Sequence, residues 1–427
     1  MTEPTTRLVQ IEKPVYGGAF LARLDGKAVF VPLTLPGEEA RIRMLEEKRG
    51  YALAEAEEIV TASPARIAPG CRHFGACGGC HYQHADYASQ LGFKQAILRE
   101  TLERGGVRAL PEIAVCAADP WGYRNRIRLA FDAGGSPGYR GRRSHAVIPV
   151  SECPISAPLL MKTAAAFAAS LREIGLALRP TEITLFCNSN ESALLVSLFI
   201  AAPGKFRFDD VAVAFKERVP ELQGLEFVVE DRKGERPRTL ARWGATSLAY
   251  RAASFDYRVD HGSFFQINRW LVDTLVERVT AGRSGKLAWD LFAGVGLFAR
   301  QLAAKFEYVV AVESAPSTSE ALKENLKNTH SETVKAEALA FLRRHSKSGI
   351  PDLIVVDPPR VGLGPETTAQ LSRIAAPDVV YVSCDPATLA RDLRALSGSG
   401  YQIESITLVD LFPQTFHLET VVSLRRA

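Results

Sequence analysis

From Leu287 to the carboxyl end the chain repeats one rhythm. Short apolar runs, "KLAWDLF", "YVVAVE", "TVKAE", "DLIVVD", "DVVYVS", "ESITLVD" and "ETVVSLR", are separated mostly by helix-patterned stretches. Strands alternating with helices bury both faces as a mostly parallel sheet with helices on either side. In such α/β sheets ligands bind outside the carboxyl ends of the strands. The residues that end each run are therefore the first candidates for function.

The first run passes into Phe292-Ala293-Gly294-Val295-Gly296, a glycine turn that opens a helix. Without a Cβ, a ligand can lie against the backbone there. The second run ends in Glu313, where an acid commonly accepts ribose hydroxyls. The fourth ends in Asp357-Pro358-Pro359-Arg360, whose prolines stiffen the exit behind the carboxylate and remove backbone donors. A glycine turn with an acid fits either a nicotinamide enzyme or a methyltransferase. Gly294-x-Gly296 is followed by Leu-Phe-Ala, so the full G-x-G-x-x-G fingerprint is missing, which counts against nicotinamide.

The fifth run enters Ser383-Cys384-Asp385-Pro386 and then a helix start. A structural cysteine belongs inside a buried strand, where it behaves as a small hydrophobe; one displayed at the strand's end reads as a nucleophile. The helix start at 386–391 is expected to lower the thiol pKa through its amide dipoles. The tight connection "LFPQTFH" should make the last two strands an antiparallel hairpin, which brings Glu419 to the sheet edge that carries Cys384.

Upstream the pattern changes. Residues 7–60 alternate short apolar runs with Gly-Gly, Asp-Gly and Pro-Gly turn signals, as in a five-stranded OB-like barrel. At 427 residues the length suits about three domains: a barrel at 1–60, a mixed α+β region at 61–260 and the α/β region at 261–427. "PGCRHFGACGGCHYQH" holds Cys71, Cys77 and Cys80, and Cys153 stands in "SECPIS". Such thiolates suit zinc or an iron-sulfur cluster. A distant Cys-Pro and the lack of a second C-x2-C pair favour iron. Cys116 and Cys187 read as packing residues.

Net charge is only +4, but six arginines and one acid lie between Trp121 and Arg143. Strand alternation in "YRNRIRLAF" puts Arg124, Arg126 and Arg128 on one face, at a pitch able to follow successive phosphates of a single strand. No run approaches the ~20 apolar residues of a membrane span, and Met1-Thr2-Glu3-Pro4 opens no signal peptide. A cytoplasmic protein is expected.

These pieces together resemble the TRAM-containing class I RNA uracil-C5 methyltransferases, over nearly the whole chain. "FVPLTLPGE" is similar to the TRAM domain, "SCDPATLARD" to the nucleophile motif and "PQTFHLETV" to the general-base motif. The resemblance implies S-adenosylmethionine as cofactor, held by Gln266 of "GSFFQIN", Phe292, Gly294, Gly296, Glu313, Glu337 and Asp357. It implies Cys384 as nucleophile and Glu419 as base. Cys71, Cys77, Cys80 and Cys153 would be the ligands of a 4Fe-4S cluster. Glu337 and Leu297 depart from the family's usual aspartate and polar residue. The implied partner is RNA, ribosomal (23S) in the first place and transfer RNA as the alternative, with no DNA and no membrane. An iron-sulfur nicotinamide oxidoreductase and a non-catalytic RNA scaffold are the rival readings; neither needs Cys384 and Glu419 together.

Overall fold

The structure, a computed structural model, describes residues 6–174, 180–201, 207–229, 237–345 and 349–427. Five strands close the expected barrel: β1 (Thr6–Val15), β2 (Ala19–Leu24), β3 (Lys27–Pro32), β4 (Glu39–Glu47) and β5 (Tyr51–Thr61). The Asp25-Gly26 turn between β2 and β3 has both residues at positive φ, as a two-residue hairpin requires. Helix α1 (Tyr87–Arg104) and a short strand, β6 (Ile113–Cys116), follow.

A second sheet contains β7 (Arg126–Phe131), β8 (Pro137–Arg140), β9 (Val147–Pro149), β10 (Pro180–Cys187), β11 (Leu194–Ile200), β12 (Leu222–Val229) and β13 (Arg238–Gly244). Its order is β13-β12-β11-β10-β7-β8-β9. Helices α2 (Pro158–Ile174) and α3 (Phe208–Arg218) cover one face, where Ile127 and Leu129 pack with Leu160, Phe167, Val211 and Phe215. Period-two alternation turns Arg126 and Arg128 to the other face.

A hairpin of β14 (Ser247–Ala252) and β15 (Phe255–Asp260), then α4 (Val272–Thr280), lead into the last sheet. Its own run is β16 (Gly285–Leu291), α5 (Leu297–Leu302), β17 (Phe306–Glu313), α6 (Pro316–Asn325), β18 (Ser331–Lys335), α7 (Ala338–His345), β19 (Leu353–Val356), α8 (Gly364–Ile374), β20 (Asp378–Ser383), α9 (Pro386–Gly398), β21 (Tyr401–Val409) and β22 (Thr420–Arg426). The strand order is β18-β17-β16-β19-β20-β22-β21-β6. All seven apolar runs become strands, and β22 lies antiparallel between β20 and β21.

Two features of this sheet come from far upstream. Strand β6 adds in parallel to β21 and extends the edge, and Ile97, Leu98 and Leu102 of α1 share a core with Leu389 and Leu393 of α9. On the opposite face Leu248 and Tyr257 of the β14–β15 hairpin pack with α4, α5 and α6. Packing therefore crosses residue 260. No helix among the described residues is long and apolar enough to cross a membrane.

Where α1 meets the end of β21, Lys94 and Asp410 form an ion pair at 2.5 Å with side chains 0% and 1% exposed. Tyr87 donates its hydroxyl to Asp410 at 2.8 Å, and Lys94 reaches the Phe412 carbonyl at 2.9 Å. Burial pushes the Lys94 ammonium's pKa down while Asp410 opposes that shift. Removing one partner strands the other charge without water, so Lys94→Ala should cost about 3–5 kcal/mol in urea unfolding. The double change Lys94→Met, Asp410→Leu should cost less than that single one. Equal stability of Lys94→Ala and the natural protein would show that the pair carries no such load.

Candidate functional site

Strand β16 ends at Leu291, and the chain must then swing away to start α5. Phe292 (φ 67°), Gly294 (φ 56°) and Gly296 (φ 88°) all take left-handed conformations to do so. A Cβ on Gly296 would stand 2.9 Å from Leu322 Cδ1, so this corner is close-packed as well as sharply turned. Glu313, at the end of β17, is tied to the same corner: its carboxylate accepts from Gly294 N–H at 2.8 Å and from Ala315 N–H at 2.7 Å. Asp290, inside β16, accepts from Ala299 N–H at 2.8 Å, while its Oδ1 is buried without a partner. The sequence reading passed over Asp290; an acid inside the apolar run "KLAWDLF" was its signal.

Gln266 is buried on the segment between β15 and α4. That segment crosses the carboxyl ends of the strands. Ser263 donates to the Ser317 carbonyl at 2.8 Å, just beyond Glu313, and Asn268 donates to the carbonyls of Asp410 and Leu411. Glu337 follows the end of β18, is exposed, and has its carbonyl engaged by Phe341 N–H at the start of α7. Asp357 follows β19 on the edge next to β16.

Register places the remaining pair. Ser383 and Thr420 face each other across β20 and β22, so Cys384 and Glu419, one step outward on each strand, flank the crevice together. Opposed residues in an antiparallel pair lie about 4.5–5.5 Å apart at Cα. Asp385 caps α9, its Oδ1 accepting from Ala387 N–H at 3.0 Å and Thr388 N–H at 2.9 Å. Arg360 donates to His417 Nδ1 at 3.2 Å. Burial first, then the Arg360 charge, pushes the His417 pKa down to about 3, so the imidazole stays neutral.

Cys71, Cys77, Cys80 and Cys153 are all free thiols and line one small cavity of about 40 Å³. Among the described residues no set of three or more His, Cys, Asp or Glu side chains is gathered tightly enough to hold a metal ion. Burial raises the pKa of Cys71, Cys77 and Cys80, the last to about 12, and charge on Cys153 pushes each the same way. The loop is stapled to the β8–β9 hairpin by Gly78 N–H to the Arg140 carbonyl (3.1 Å) and Arg142 N–H to the Ala76 carbonyl (2.9 Å).

Arg124, Arg126 and Arg128 do line one cavity, of about 410 Å³. Each already has partners. Arg124 lies beside the Tyr123 ring, Arg126 covers the Phe186 ring and reaches the Ser263 carbonyl, and Arg128 pairs with Glu182. A neighbouring groove of about 590 Å³ runs between the barrel, the cysteine loop and Arg140, Arg142 and Arg143. Among the described residues, Arg142 and Arg143 make no ion pair.

Residues 345–427 match the tRNA (Uracil-5-)-methyltransferase family, and residues 2–56 match the TRAM domain. The 23S rRNA (uracil(1939)-C(5))-methyltransferase RlmD of Shewanella frigidimarina is 33% identical, over 95% of this chain and 92% of that relative. The chain belongs to the RNA uracil-C5 methyltransferase family. An uncharacterized RNA methyltransferase of Thermotoga maritima is 30% identical over 97% of this chain and 98% of its own length. The crystal structure of the Pyrococcus abyssi tRNA (uracil-54, C5)-methyltransferase in complex with S-adenosyl-L-homocysteine matches with a TM-score of 0.80 and 25% identity, covering 98% of this chain and all of that one. The family and fold implied by the motifs are thereby borne out, and S-adenosylmethionine is the methyl donor.

The electrostatics of this methyltransferase correct one expectation. The Cys384 pKa is raised, not lowered, and the α9 start beside it is capped by the Asp385 carboxylate. Burial first, then Glu419 and Asp357, push the thiol up to about 11, with Arg360 opposing. Glu419 is itself pushed well above the carboxylate range by burial and by Asp357, and burial raises Asp357 to about 7. Iodoacetamide labelling of Cys384, read by mass spectrometry of its peptide, should therefore keep accelerating past the ordinary thiol range of about 8.5. Its midpoint should fall near about 11. Glu419→Gln removes a negative neighbour and should move the midpoint down. An ordinary midpoint in both proteins would contradict this picture.

Proposed function

We propose that this enzyme methylates carbon 5 of a uridine in 23S ribosomal RNA, with Cys384 as nucleophile and Glu419 as base. The observation that carries the roles is that both side chains flank the Ser383–Thr420 pair at the mouth of the sheet. Ribosomal RNA is favoured over transfer RNA by full-length relatives such as RlmD of Chromohalobacter salexigens, 32% identical, against 25% for the transfer-RNA enzyme of known structure. That substrate puts the protein in the cytoplasm. We read the chain as an RNA-binding barrel at 1–60, a central region at 61–260 and a methyltransferase region at 261–427.

Carbon 5 of uracil is a weak nucleophile. When the Cys384 thiol gives up its proton to solvent and the sulfur bonds to carbon 6, the ring π pair moves to form an enolate, and carbon 5 can then attack; covalent catalysis divides one hard step into easier ones. S-adenosylmethionine supplies the methyl group on a sulfonium. Gln266, the Phe292–Gly296 corner, Glu313, Glu337 and Asp357 are its proposed holders, all carried on carboxyl-end loops. Glu419 then takes the proton from carbon 5 while the carbon–sulfur bond breaks and restores the double bond. A carboxyl with a raised pKa holds that proton well. The target base must leave any stack to reach this crevice.

Loss of the two groups should stop different steps. Cys384→Ala should neither methylate RNA nor form an adduct. Glu419→Gln should add, transfer the methyl and stall, leaving a protein–RNA complex that survives denaturing electrophoresis. Wild-type turnover by Glu419→Gln would remove it from the base's role, and 5-methyluridine made by Cys384→Ala would end the nucleophile assignment.

The four-cysteine cavity is read as the seat of a 4Fe-4S cluster. Four cysteines that line one cavity are the donor set such a cluster takes. Cys71, Cys77, Cys80 and Cys153 would hold it, and its service to the enzyme is to brace the arginine hairpin beside the RNA groove. Anaerobically purified protein should be brown, with about four irons per chain. Arg142→Ala, Arg143→Ala protein should keep that iron while its salt slope for RNA binding flattens by about 1.4, at ~0.7 per single-strand phosphate contact. Colourless active protein would remove the cluster, and an unchanged slope would remove the groove.

A further inference from the structure

The segment that carries Gln266 lies between β15 and α4 and belongs to neither helix nor strand, so its course must be fixed by neighbours. Those neighbours are the residues entering β7. Tyr123 offers its carbonyl to Arg269 N–H at 3.0 Å, Asn125 N–H donates to the Ile267 carbonyl at 3.0 Å, and Arg126 donates to the Ser263 carbonyl at 2.5 Å. Asn125 adds its side chain. Its Nδ2 donates to the Gln266 carbonyl at 2.9 Å and to the Tyr250 hydroxyl at 3.0 Å, and the residue is 0% exposed. One buried residue thus holds two consecutive carbonyls, those of Gln266 and Ile267.

Holding both carbonyls fixes two successive peptide planes, because each plane turns as a rigid unit. The direction in which the Gln266 side chain leaves the backbone is set with them. Tyr250, fully buried on β14, completes the mount: its ring lies 4.5 Å from that of Phe265, next to Gln266, and its hydroxyl takes the other Asn125 hydrogen. Asn125 Oδ1, by contrast, is buried without a partner among the described residues. A buried acceptor left unpaired works against stability. What the asparagine supplies at this point is two donors on one planar group.

We infer that Asn125 is a positioning residue for the methyl donor: by holding the Gln266 and Ile267 carbonyls it aims the Gln266 amide at S-adenosylmethionine. The inference rests on Gln266 being one of the cofactor's holders. It puts a determinant of cofactor binding in the central region, between Arg124 and Arg126, which line the cavity of about 410 Å³.

In the full-length protein Asn125→Ala should weaken S-adenosyl-L-homocysteine binding, read by isothermal titration, about tenfold, the scale of one buried hydrogen bond. KM for S-adenosylmethionine should rise alike, while kcat at saturating cofactor and the Kd for RNA stay within about twofold of the natural protein, the pattern of lost cofactor binding. A general loosening of the fold would depress all of these together. Tyr250→Phe keeps the ring, frees the amide of its second anchor and should weaken S-adenosyl-L-homocysteine about threefold. Unchanged affinity in Asn125→Ala overturns the inference, as does a loss shared equally by RNA binding and kcat. If Asn125→Ala does not fold, Tyr250→Phe decides: a selective loss of cofactor affinity upholds the inference and natural affinity overturns it. Gln266→Ala tests the reading beneath. Natural affinity in that variant removes Gln266 from the cofactor, whereas weak binding by Gln266→Ala beside natural binding by Asn125→Ala defeats the inference alone.

Discussion

The buried Lys94–Asp410 pair is the joint on which the site depends. Asp410 follows β21, and the connection from there to Glu419 has no regular structure to hold it. Its order comes from partners outside the sheet. Gln414 offers its carbonyl to His81 N–H and Tyr82 N–H, and exchanges side-chain and backbone bonds with Gln90 of α1. Tyr123 donates to the Pro413 carbonyl at 3.0 Å. Helix α1, the cysteine loop and the approach to β7 thus meet on the loop that delivers Glu419. Burying an ion pair is expensive and adds little net stability; here it selects one placement of a loop that must be right to within an ångström or so.

The crevice itself is rich in acids. Asp290, Asp357 and Glu419 all have raised pKa values because burial, and for Asp290 and Glu419 other carboxylates, disfavour their ionised forms. Such a site favours a cation over an anion, and a sulfonium is a cation. Burial first, and then that field, push the Cys384 thiol pKa up, with Arg360 the opposing charge.

The apolar runs and their terminal residues were legible because strand ends in a parallel sheet share one edge whatever the loops do. The antiparallel β21–β22 hairpin followed from the short connection before Leu418; that β22 also pairs with β20 comes from the sheet order, which that connection does not encode. The barrel was legible from its turn residues. By contrast β6 and α1 read as part of the mixed middle, because an edge strand of four residues carries too little pattern to name its partner. Arg124, Arg126 and Arg128 share a face as alternation required, but their neighbours Tyr123, Phe186 and Glu182 come from proximity that alternation does not encode.

The chain's own pattern determined the sheet, the barrel, the four-cysteine set and which residues stand at strand ends, because each depends on local periodicity or chemical type. Tertiary structure alone decided the protonation of those residues. That Asp385 caps α9, and so takes amides at the helix start beside Cys384, is visible only in three dimensions. Burial and the charges of Glu419 and Asp357, which push the Cys384 thiol up, and the contact of Tyr16 in the barrel with Phe416, are likewise products of packing. Charge and burial act through space, and no spacing along the chain records them.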